Sequence, residues 1–236
     1  MRYLLGQMVR RAMLVNVFVA AVAIAASAIP ILARAEDPGR AVRIVAFGDS
    51  LTAGFGLKPG QGFPEQLEKL LKARGIKAAV ANAGVSGDTT AAGLTRLAWS
   101  VPDGTDAVIL ELGANDALSG RPPADARRNL EAIVKALDAR GVEVLIAGML
   151  APRNLGPAYV AAFDAIFPEL AEKHGALLYP FFLDGVALDP KLNLADGIHP
   201  TAEGVAIITA RMLPKVEELI ARVRARSSSA QQKPRG

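Results

Sequence analysis

The sequence of 236 residues contains no cysteine and only two histidines, His174 and His199. Without cysteine, the chain can form neither a disulfide framework nor a thiolate zinc site. Zinc sites usually need several imidazoles or thiolates, so the shortage of both argues against metal-dependent hydrolysis. We therefore expect a protein without a metal or another cofactor.

The formal net charge of +4 comes mostly from the two ends of the chain. Between them the charges nearly balance, and no basic stripe is interleaved with aromatic residues, so we expect no nucleic-acid partner. Residues 226–236 are predicted to form a disordered basic tail, and weak contact of this tail with an anionic membrane surface is a hypothesis. The basic residues near the ends are Arg2, Arg10, Arg11, Arg34, Arg222, Arg224, Arg226, Lys233 and Arg235.

The first 35 residues have the pattern of an export signal. Arginines precede an uncharged stretch at 12–32, and Ala-Arg-Ala at 33–35 is a cleavage site of the A-x-A type. We predict that 1–35 is a signal peptide cleaved near Ala35, so that the mature protein is periplasmic or secreted. The uncharged stretch approaches the ~20 residues that span a bilayer, so a retained inner-membrane anchor is the alternative.

Short apolar runs alternate with helical patterns along the rest of the chain, which predicts βαβ units and a parallel sheet covered on both faces. We see no second domain. Trp99, Phe163 and Phe167 are expected to fill the space between helices and sheet. Pro168 is predicted to kink or break its helix, and Pro214 to kink the last one. The predicted strands are 42–47, 78–81, 106–112, 142–147 and 176–178, and the predicted helices are 64–74, 94–99, 124–139, 158–173 and 201–224.

The segment 44–54 runs an apolar strand directly into a serine flanked by glycines. Gly48 permits a sharp turn at the carboxyl end of the strand, which is where open α/β sheets bind ligands. Ser50 then lies where an enzyme displays a nucleophile. For an isolated Gly-Asp-Ser, a strand-ending glycine followed by a helix cap is the ordinary alternative.

A serine hydroxyl is a weak nucleophile, so it needs a histidine base that a third polar group orients. Asp196 lies three residues before His199, so its carboxylate can reach Nδ1 and leave Nε2 to accept the serine proton. His174 lies at an apparent helix end before Gly175, where a histidine ordinarily complements the helix dipole. His199 is therefore the candidate base and Asp196 its orienting carboxylate.

Four short blocks follow one another along the chain: Gly-Asp-Ser-Leu at 48–51, Gly-Val-Ser-Gly-Asp-Thr at 84–89, Gly-Ala-Asn-Asp at 113–116 and Asp-Gly-Ile-His at 196–199. In this order and spacing they resemble the SGNH (GDSL) hydrolase family. Within the family, the chain is most similar to the bacterial thioesterase I, protease I and lysophospholipase group, also called arylesterases. The resemblance covers roughly 42–220. It implies an α/β fold, a three-layer sandwich with a five-stranded parallel, flavodoxin-like sheet covered by helices on both faces.

The resemblance also implies a role for each matching residue. Ser50 is the expected nucleophile, His199 the base and Asp196 the carboxylate that orients it. The expected oxyanion hole consists of the backbone N–H groups of Ser50 and Gly87 and the side-chain amide of Asn115. Such preorganised neutral donors stabilise the charge that acyl transfer builds on a carbonyl oxygen.

Each block also has an ordinary structural interpretation. Asn115 can cap a turn, and Gly87 can belong to a common turn dipeptide. Their joint occurrence after successive strands favours catalysis. Asp49 and Asp116 are interpreted as structural carboxylates that accept loop N–H groups. Ser86 is a competing nucleophile, but it lacks the Gly-x-Ser-x-Gly elbow.

Together, the leader pattern and the resemblance imply an exported serine esterase, with residues 36–225 as the hydrolase domain, that cleaves carboxylic esters or thioesters through an acyl-enzyme on Ser50. Residues 149–156 resemble the segment that lines the acyl pocket in the nearest relatives, and apolar loops favour fatty acyl, lysophospholipid or aryl ester substrates. The alternatives are a glycan O-deacetylase of the same fold and a non-catalytic lipid- or carbohydrate-binding module. We expect a monomer that binds a small-molecule substrate.

Overall fold

The computed structural model describes residues 39–232 of the chain. The predicted signal peptide at 1–35 therefore lies outside the described residues, as do residues 233–236. Among the described helices, none is both long enough and apolar enough to cross a membrane.

A five-stranded parallel sheet forms the middle layer. Its strands are β1 (Val42–Gly48), β2 (Ala78–Gly84), β3 (Ala107–Glu111), β4 (Glu143–Ala147) and β5 (Leu177–Tyr179). They lie in the order β2-β1-β3-β4-β5, which confirms the predicted flavodoxin-like sheet. Gly48 pairs with both Gly84 and Glu111, so three strands reach one edge of the sheet together.

Helices cover both faces of the sheet and complete the predicted three layers. The helices are α1 (Ser50–Ala53), α2 (Phe63–Ala73), α3 (Thr90–Ser100), α4 (Ala114–Leu118), α5 (Pro123–Ala139), α6 (Pro157–Asp164), α7 (Ile166–His174) and α8 (Ala202–Gln232). On one face α2 packs against α8. On the other, α5 packs against α3, α6 and α7.

The central strands are buried because helices cover them on both sides. Every residue of β3 is buried, and in β1 only Arg43 is exposed. By contrast β2, at the edge of the sheet, has only half-buried and exposed residues. The apolar runs that predicted strands thus correspond to the middle of the sheet, beside which the site is built.

The predicted interruption near Pro168 is confirmed, since α6 ends at Asp164 and α7 begins at Ile166. Proline has no N–H for the helix ladder, and its ring crowds the carbonyl four residues earlier, which is that of Asp164. Pro214 lies inside α8, and the helix continues through it.

The expected disordered tail at 226–236 overlaps the end of α8, which continues to Gln232. The hydroxyls of the three serines at 227–229 donate to helix carbonyls four residues earlier, at 2.9–3.1 Å. Arg226 donates to the Gly141 carbonyl at 3.0 Å and pairs with Glu143. Local hydrogen bonds and an anchored guanidinium thus extend the helix beyond the point that composition predicted.

The expected burial is confirmed for Phe163 and Phe167, whose rings pack edge to face with centroids 5.6 Å apart. It is wrong for Trp99, which is 71% exposed. The buried face of α3 carries Arg96 and Leu97. A residue two positions after Leu97 is turned about 200° around the helix, so it faces away from the sheet.

Replacing Phe163 with alanine is expected to lower the free energy of unfolding by about 3–5 kcal/mol, because it leaves a cavity in the core. Trp99→Ala is the matched control, and its exposed ring should change that free energy by no more than about 0.5 kcal/mol. Denaturant unfolding of the two variants and the parent protein measures both effects. Equal losses in the two variants would contradict the assigned burial.

Candidate active site

The four sequence blocks meet at the carboxyl edge of the sheet. β1 ends directly before Asp49 and Ser50, β2 leads into the turn at 85–88, and β3 leads into the block at 113–116. The last block, 196–199, belongs to the loop before α8. Because parallel strands end at a common edge, segments far apart in the sequence become neighbours there.

Ser50, His199 and Asp196 form a continuous chain of hydrogen bonds. Ser50 Oγ lies 2.8 Å from His199 Nε2, and His199 Nδ1 lies 2.7 Å from Asp196 Oδ2. Asp196 Oδ1 also accepts the backbone N–H groups of Ile198 and His199, at 2.9 and 3.0 Å. The structure thus brings together the three residues that the sequence selected, in the order expected for a nucleophile, a base and an orienting carboxylate.

Asp196 is an anion at neutral pH. The backbone N–H groups of His199 and Ile198, followed by the imidazole, lower the pKa of this carboxyl to about 2. A carboxylate can only accept a hydrogen bond, so it selects the imidazole tautomer with the proton on Nδ1. His199 Nε2 is then free to accept the hydroxyl hydrogen of Ser50.

The loop that carries His199 is fixed by backbone and ring contacts. The Leu194 N–H donates to the His199 carbonyl at 2.7 Å, and Asn193 pairs with Pro200 in an isolated antiparallel bridge. On the cavity side, the half-exposed Phe55 ring lies with its centroid 4.5 Å from that of the imidazole. These contacts hold the imidazole in one place without a longer strand or helix.

Only glycine fits at position 48, immediately before the serine block. A Cβ there would lie 2.1 Å from Thr52 Oγ1 and 2.5 Å from both the backbone carbonyl and Oε2 of Glu111. This close approach lets α1 begin at Ser50, one residue after the residue that caps it. As the first residue of a helix, Ser50 has a backbone N–H without an intrahelical partner, available to a ligand.

The three predicted oxyanion-hole residues line one cavity. Ser50, Gly87 and Asn115 all border it, and Gly87 has a φ of +85°, a conformation that favours glycine. Asn115 Nδ2 donates to Asp49 Oδ2 at 3.1 Å and to the Asp88 carbonyl at 2.9 Å. The structure therefore brings the three expected donors to the same edge, and two hydrogen bonds orient the Asn115 amide.

This cavity has a volume of about 380 Å³ and mainly apolar walls. Segment 149–156, which resembles an acyl-pocket segment, supplies part of the wall. Of the two phenylalanines after β5, Phe181 faces the cavity and Phe182 is buried in the core. The principal apolar side chains of the wall are Leu118, Met149, Leu150, Pro152, Phe181 and Ile198.

Arg96 is a buried cation at this edge that sequence reasoning missed. Its guanidinium donates to the carbonyls of Gly48 and Ala83, both at 2.8 Å, and to Asp88 Oδ2 at 2.5 Å. The same guanidinium lies 4.1 Å from the centroid of the Phe47 ring. One side chain therefore ties the ends of β1 and β2 to the turn that carries Gly87.

Glu111 was also missed, although it is a single acidic residue at the end of an otherwise apolar strand. It is completely buried, and its Oε2 accepts the Thr52 hydroxyl at 2.8 Å and the Asp49 N–H at 3.3 Å. Burial, followed by the charge of Asp49, raises the pKa of Glu111 well above its ordinary value. Burial also raises the pKa of Asp49, to about 6.

The remaining candidates lie where their ordinary interpretations placed them. Asp116 accepts the N–H and hydroxyl of Thr90, at 2.7 and 2.8 Å. Ser86 lines the cavity. His174 ends α7, with Nε2 3.6 Å from a carboxylate oxygen of Glu131. No cluster of three His, Asp or Glu side chains suited to a metal ion is found in the described part of the chain.

Arg96→Met is expected to lower the free energy of unfolding by about 3–5 kcal/mol, because it leaves Asp88 buried without its cation. Arg128→Met is the control, since the pair of Arg128 with Asp125 is exposed and is worth no more than about 1 kcal/mol. Urea unfolding at constant ionic strength measures both losses. A loss in Arg96→Met as small as that of the control would refute the linking role of this guanidinium.

Comparison with known proteins identifies relatives along most of the chain. Residues 46–207 match the GDSL-like lipase/acylhydrolase family. Esterase TesA of Pseudomonas aeruginosa is 36% identical over 178 residues, which cover 75% of this chain and 89% of the esterase. An arylesterase of Vibrio mimicus is 37% identical over 162 residues, covering 68% and 81%. Thioesterase 1/protease 1/lysophospholipase L1 of Escherichia coli K12 is 34% identical over 178 residues, covering 75% and 84%.

Solved structures share the fold. AlinE4, an SGNH-hydrolase family esterase, is 48% identical with a TM-score of 0.65, and the match covers 76% of this chain and 97% of AlinE4. The crystal structure of TesA is 36% identical with a TM-score of 0.71, covering 75% and 99%. The family match spans more than half of the sequence. The chain therefore belongs to the GDSL-like lipase/acylhydrolase family and is a hydrolase of the SGNH type.

Proposed function

We propose that the protein is an exported serine esterase that cleaves carboxylic ester or thioester bonds through an acyl-enzyme on Ser50. The hydrogen-bond chain from Ser50 through His199 to Asp196 is the observation that carries this proposal. A binding module would need a cavity, but it would not need a serine hydroxyl aligned with a base and an anion. The names of the relatives support the esterase chemistry.

The reaction begins when Ser50 Oγ attacks the carbonyl carbon and His199 Nε2 takes the hydroxyl proton. The carbonyl oxygen becomes an oxyanion, which the N–H groups of Ser50, Gly87 and Asn115 stabilise. The protonated imidazole then donates its proton to the leaving alkoxide or thiolate. Water, deprotonated by His199 Nε2, attacks the acyl-enzyme, the bond from the acyl carbon to Ser50 Oγ breaks, and the imidazolium returns the proton to Oγ as the carboxylic acid leaves.

Asn115 has two amide hydrogens, and they have different roles in this scheme. The hydrogen bond to the carboxylate of the buried residue Asp49 fixes the plane of the amide. The other amide hydrogen bonds to the Asp88 carbonyl at 2.9 Å, in the turn that carries Gly87. We expect the oxyanion to take the second of these bonds while the first stays in place.

The cavity favours acyl groups that are long or aromatic. Its walls are apolar, so a fatty acyl or aryl group gains free energy by burial there at about 25 cal/mol per Å². An acetyl group on a polar glycan would leave most of this wall unused. Fatty acyl, lysophospholipid and aryl esters are therefore the proposed substrates, in preference to acetylated sugars.

Ser50→Ala is expected to reduce hydrolysis of a short p-nitrophenyl ester by on the order of 10⁴-fold or more, because the nucleophile is lost. Ser86→Ala is the matched control in the same cavity and should keep most of the activity. Circular dichroism and thermal unfolding show that both variants are folded. Undiminished turnover by the folded Ser50→Ala variant would eliminate the mechanism.

Export is proposed from the segment at 1–35, whose charge and hydropathy pattern is that of a signal peptide. Expression of the full chain in a bacterial host is expected to give a periplasmic or secreted protein that lacks the first 35 residues. Intact-mass measurement of the fractionated protein checks the cleavage site. A full-length mass in the membrane fraction would instead establish the retained anchor.

A further inference from the structure

Two carboxyl groups are buried beside each other beneath the nucleophile. Asp49, directly before Ser50, and Glu111, at the end of β3, both have 0% exposure. The Thr52 hydroxyl and the Asp49 N–H hold the Glu111 side chain against the start of α1. A pair of acids in this position is part of the structure that supports the site.

The hydrogen bonds show which of the two acids carries a proton. Asp49 is held by donors, with Oδ1 accepting the Leu51 N–H at 3.0 Å and Oδ2 accepting the Asn115 amide at 3.1 Å. Glu111 Oε2 is also used as an acceptor, but Oε1 is buried without any donor. A buried acceptor without a donor costs free energy. If Oε1 carries a proton, this O–H can instead donate to the neighbouring Asp49 carboxylate.

Electrostatics support the same assignment. Two adjacent buried carboxylates repel each other, so one of them keeps its proton. Burial and the Asp49 charge raise the pKa of Glu111, and a hydrogen bond between the two side chains raises it further. Burial raises the pKa of Asp49 to about 6, and the Leu51 N–H and the same side-chain hydrogen bond limit this rise. Glu111 is therefore the neutral acid and Asp49 the anion.

We propose that Glu111 is a positioning residue for ester hydrolysis: its O–H donates to the Asp49 carboxylate, and this carboxylate fixes the Asn115 amide, which donates a hydrogen bond to the oxyanion. The inference rests on the proposed function, since it assigns a support to an oxyanion-hole donor. The order is linear, from Glu111 through Asp49 to Asn115. Glu111 itself does not line the cavity.

The test compares Glu111→Gln with Glu111→Met. Glutamine can keep every contact, because its amide donates to Asp49 and its carbonyl accepts from Thr52. Methionine has a similar size but no donor. With a short p-nitrophenyl ester, we expect Glu111→Met to lower kcat by on the order of 10–10²-fold, part of the loss that follows removal of an oxyanion donor. KM should hardly change, and Glu111→Gln should restore most of kcat.

A double-mutant cycle identifies the route of the effect. Asn115→Ala alone is expected to lower kcat by on the order of 10²–10³-fold. If Glu111 acts through Asn115, adding Glu111→Met to that variant should cause little further loss. An equal loss in both backgrounds would overturn the proposal, as would Glu111→Met with parental kcat. Ile109→Val, in the same buried strand, controls for a general loss of packing and should keep parental kcat.

A second measurement applies even if Glu111→Met does not fold. A buried acid with a raised pKa binds a proton in the folded state that the unfolded chain releases, so stability falls as pH rises above the unfolded pKa of about 4.5. Asp49, Asp88 and His199 face this pair and are the same in Glu111→Gln. The unfolding constant of the parent relative to Glu111→Gln should therefore rise by about tenfold per pH unit from about pH 5 upward. A flat ratio would show that Glu111 is ionised and overturn the proposal.

These outcomes separate the inference from the function on which it rests. Full activity of Ser50→Ala would remove the serine mechanism whatever Glu111 does. A loss of kcat of less than tenfold in Asn115→Ala would show that Asn115 only stabilises its loop. Glu111 would then have no oxyanion donor to position. If both of those variants are impaired and the Glu111 variants are not, only the positioning role fails.

Discussion

Two buried polar side chains, Arg96 and Glu111, hold the ends of three parallel strands together, and the rest of the site depends on this polar joint. Arg96 binds the carbonyl ends of β1 and β2, while Glu111 at the end of β3 contacts the start of α1. Hydrogen bonds fix the direction in which each backbone segment leaves the sheet. Ser50 and Asn115 then point into one cavity because their strands cannot separate.

Burying the polar groups of this joint costs free energy, so each group needs hydrogen-bond or ion-pair partners. A buried charge costs several kcal/mol unless it is paired and hydrogen-bonded. Arg96 has a carboxylate, two strand carbonyls and an aromatic face, so its desolvation is well compensated. Arg96 does not line the cavity, so its contribution is to hold the strand ends that carry the site residues.

The sequence was sufficient to predict the site residues that lie in short local motifs. Ser50 follows an apolar strand, which indicated a nucleophile at the edge of the sheet. Asp196 and His199 are three residues apart, so their spacing predicted that they contact each other. Arg96 and Glu111 could not be found in this way, because their partners lie in other strands and become neighbours only through the sheet register. Alternating elements predicted the parallel sheet, and the family resemblance implied its flavodoxin-like order. The exposure of Trp99 depends on its angular position around the helix, which composition does not reveal. The end of α8 depends on single contacts such as those of Arg226, which composition does not reveal either.

The absence of a side chain at position 48 has a consequence for redesign. Any larger residue there would collide with the polar joint, so this point cannot be varied to tune selectivity. Leu150 and Pro152, by contrast, lie in a loop on the far wall of the cavity and contribute to none of the hydrogen bonds that organise the strand ends. Substitutions in that wall can change the shape of the cavity while the hydrogen bonds at the strand ends stay in place.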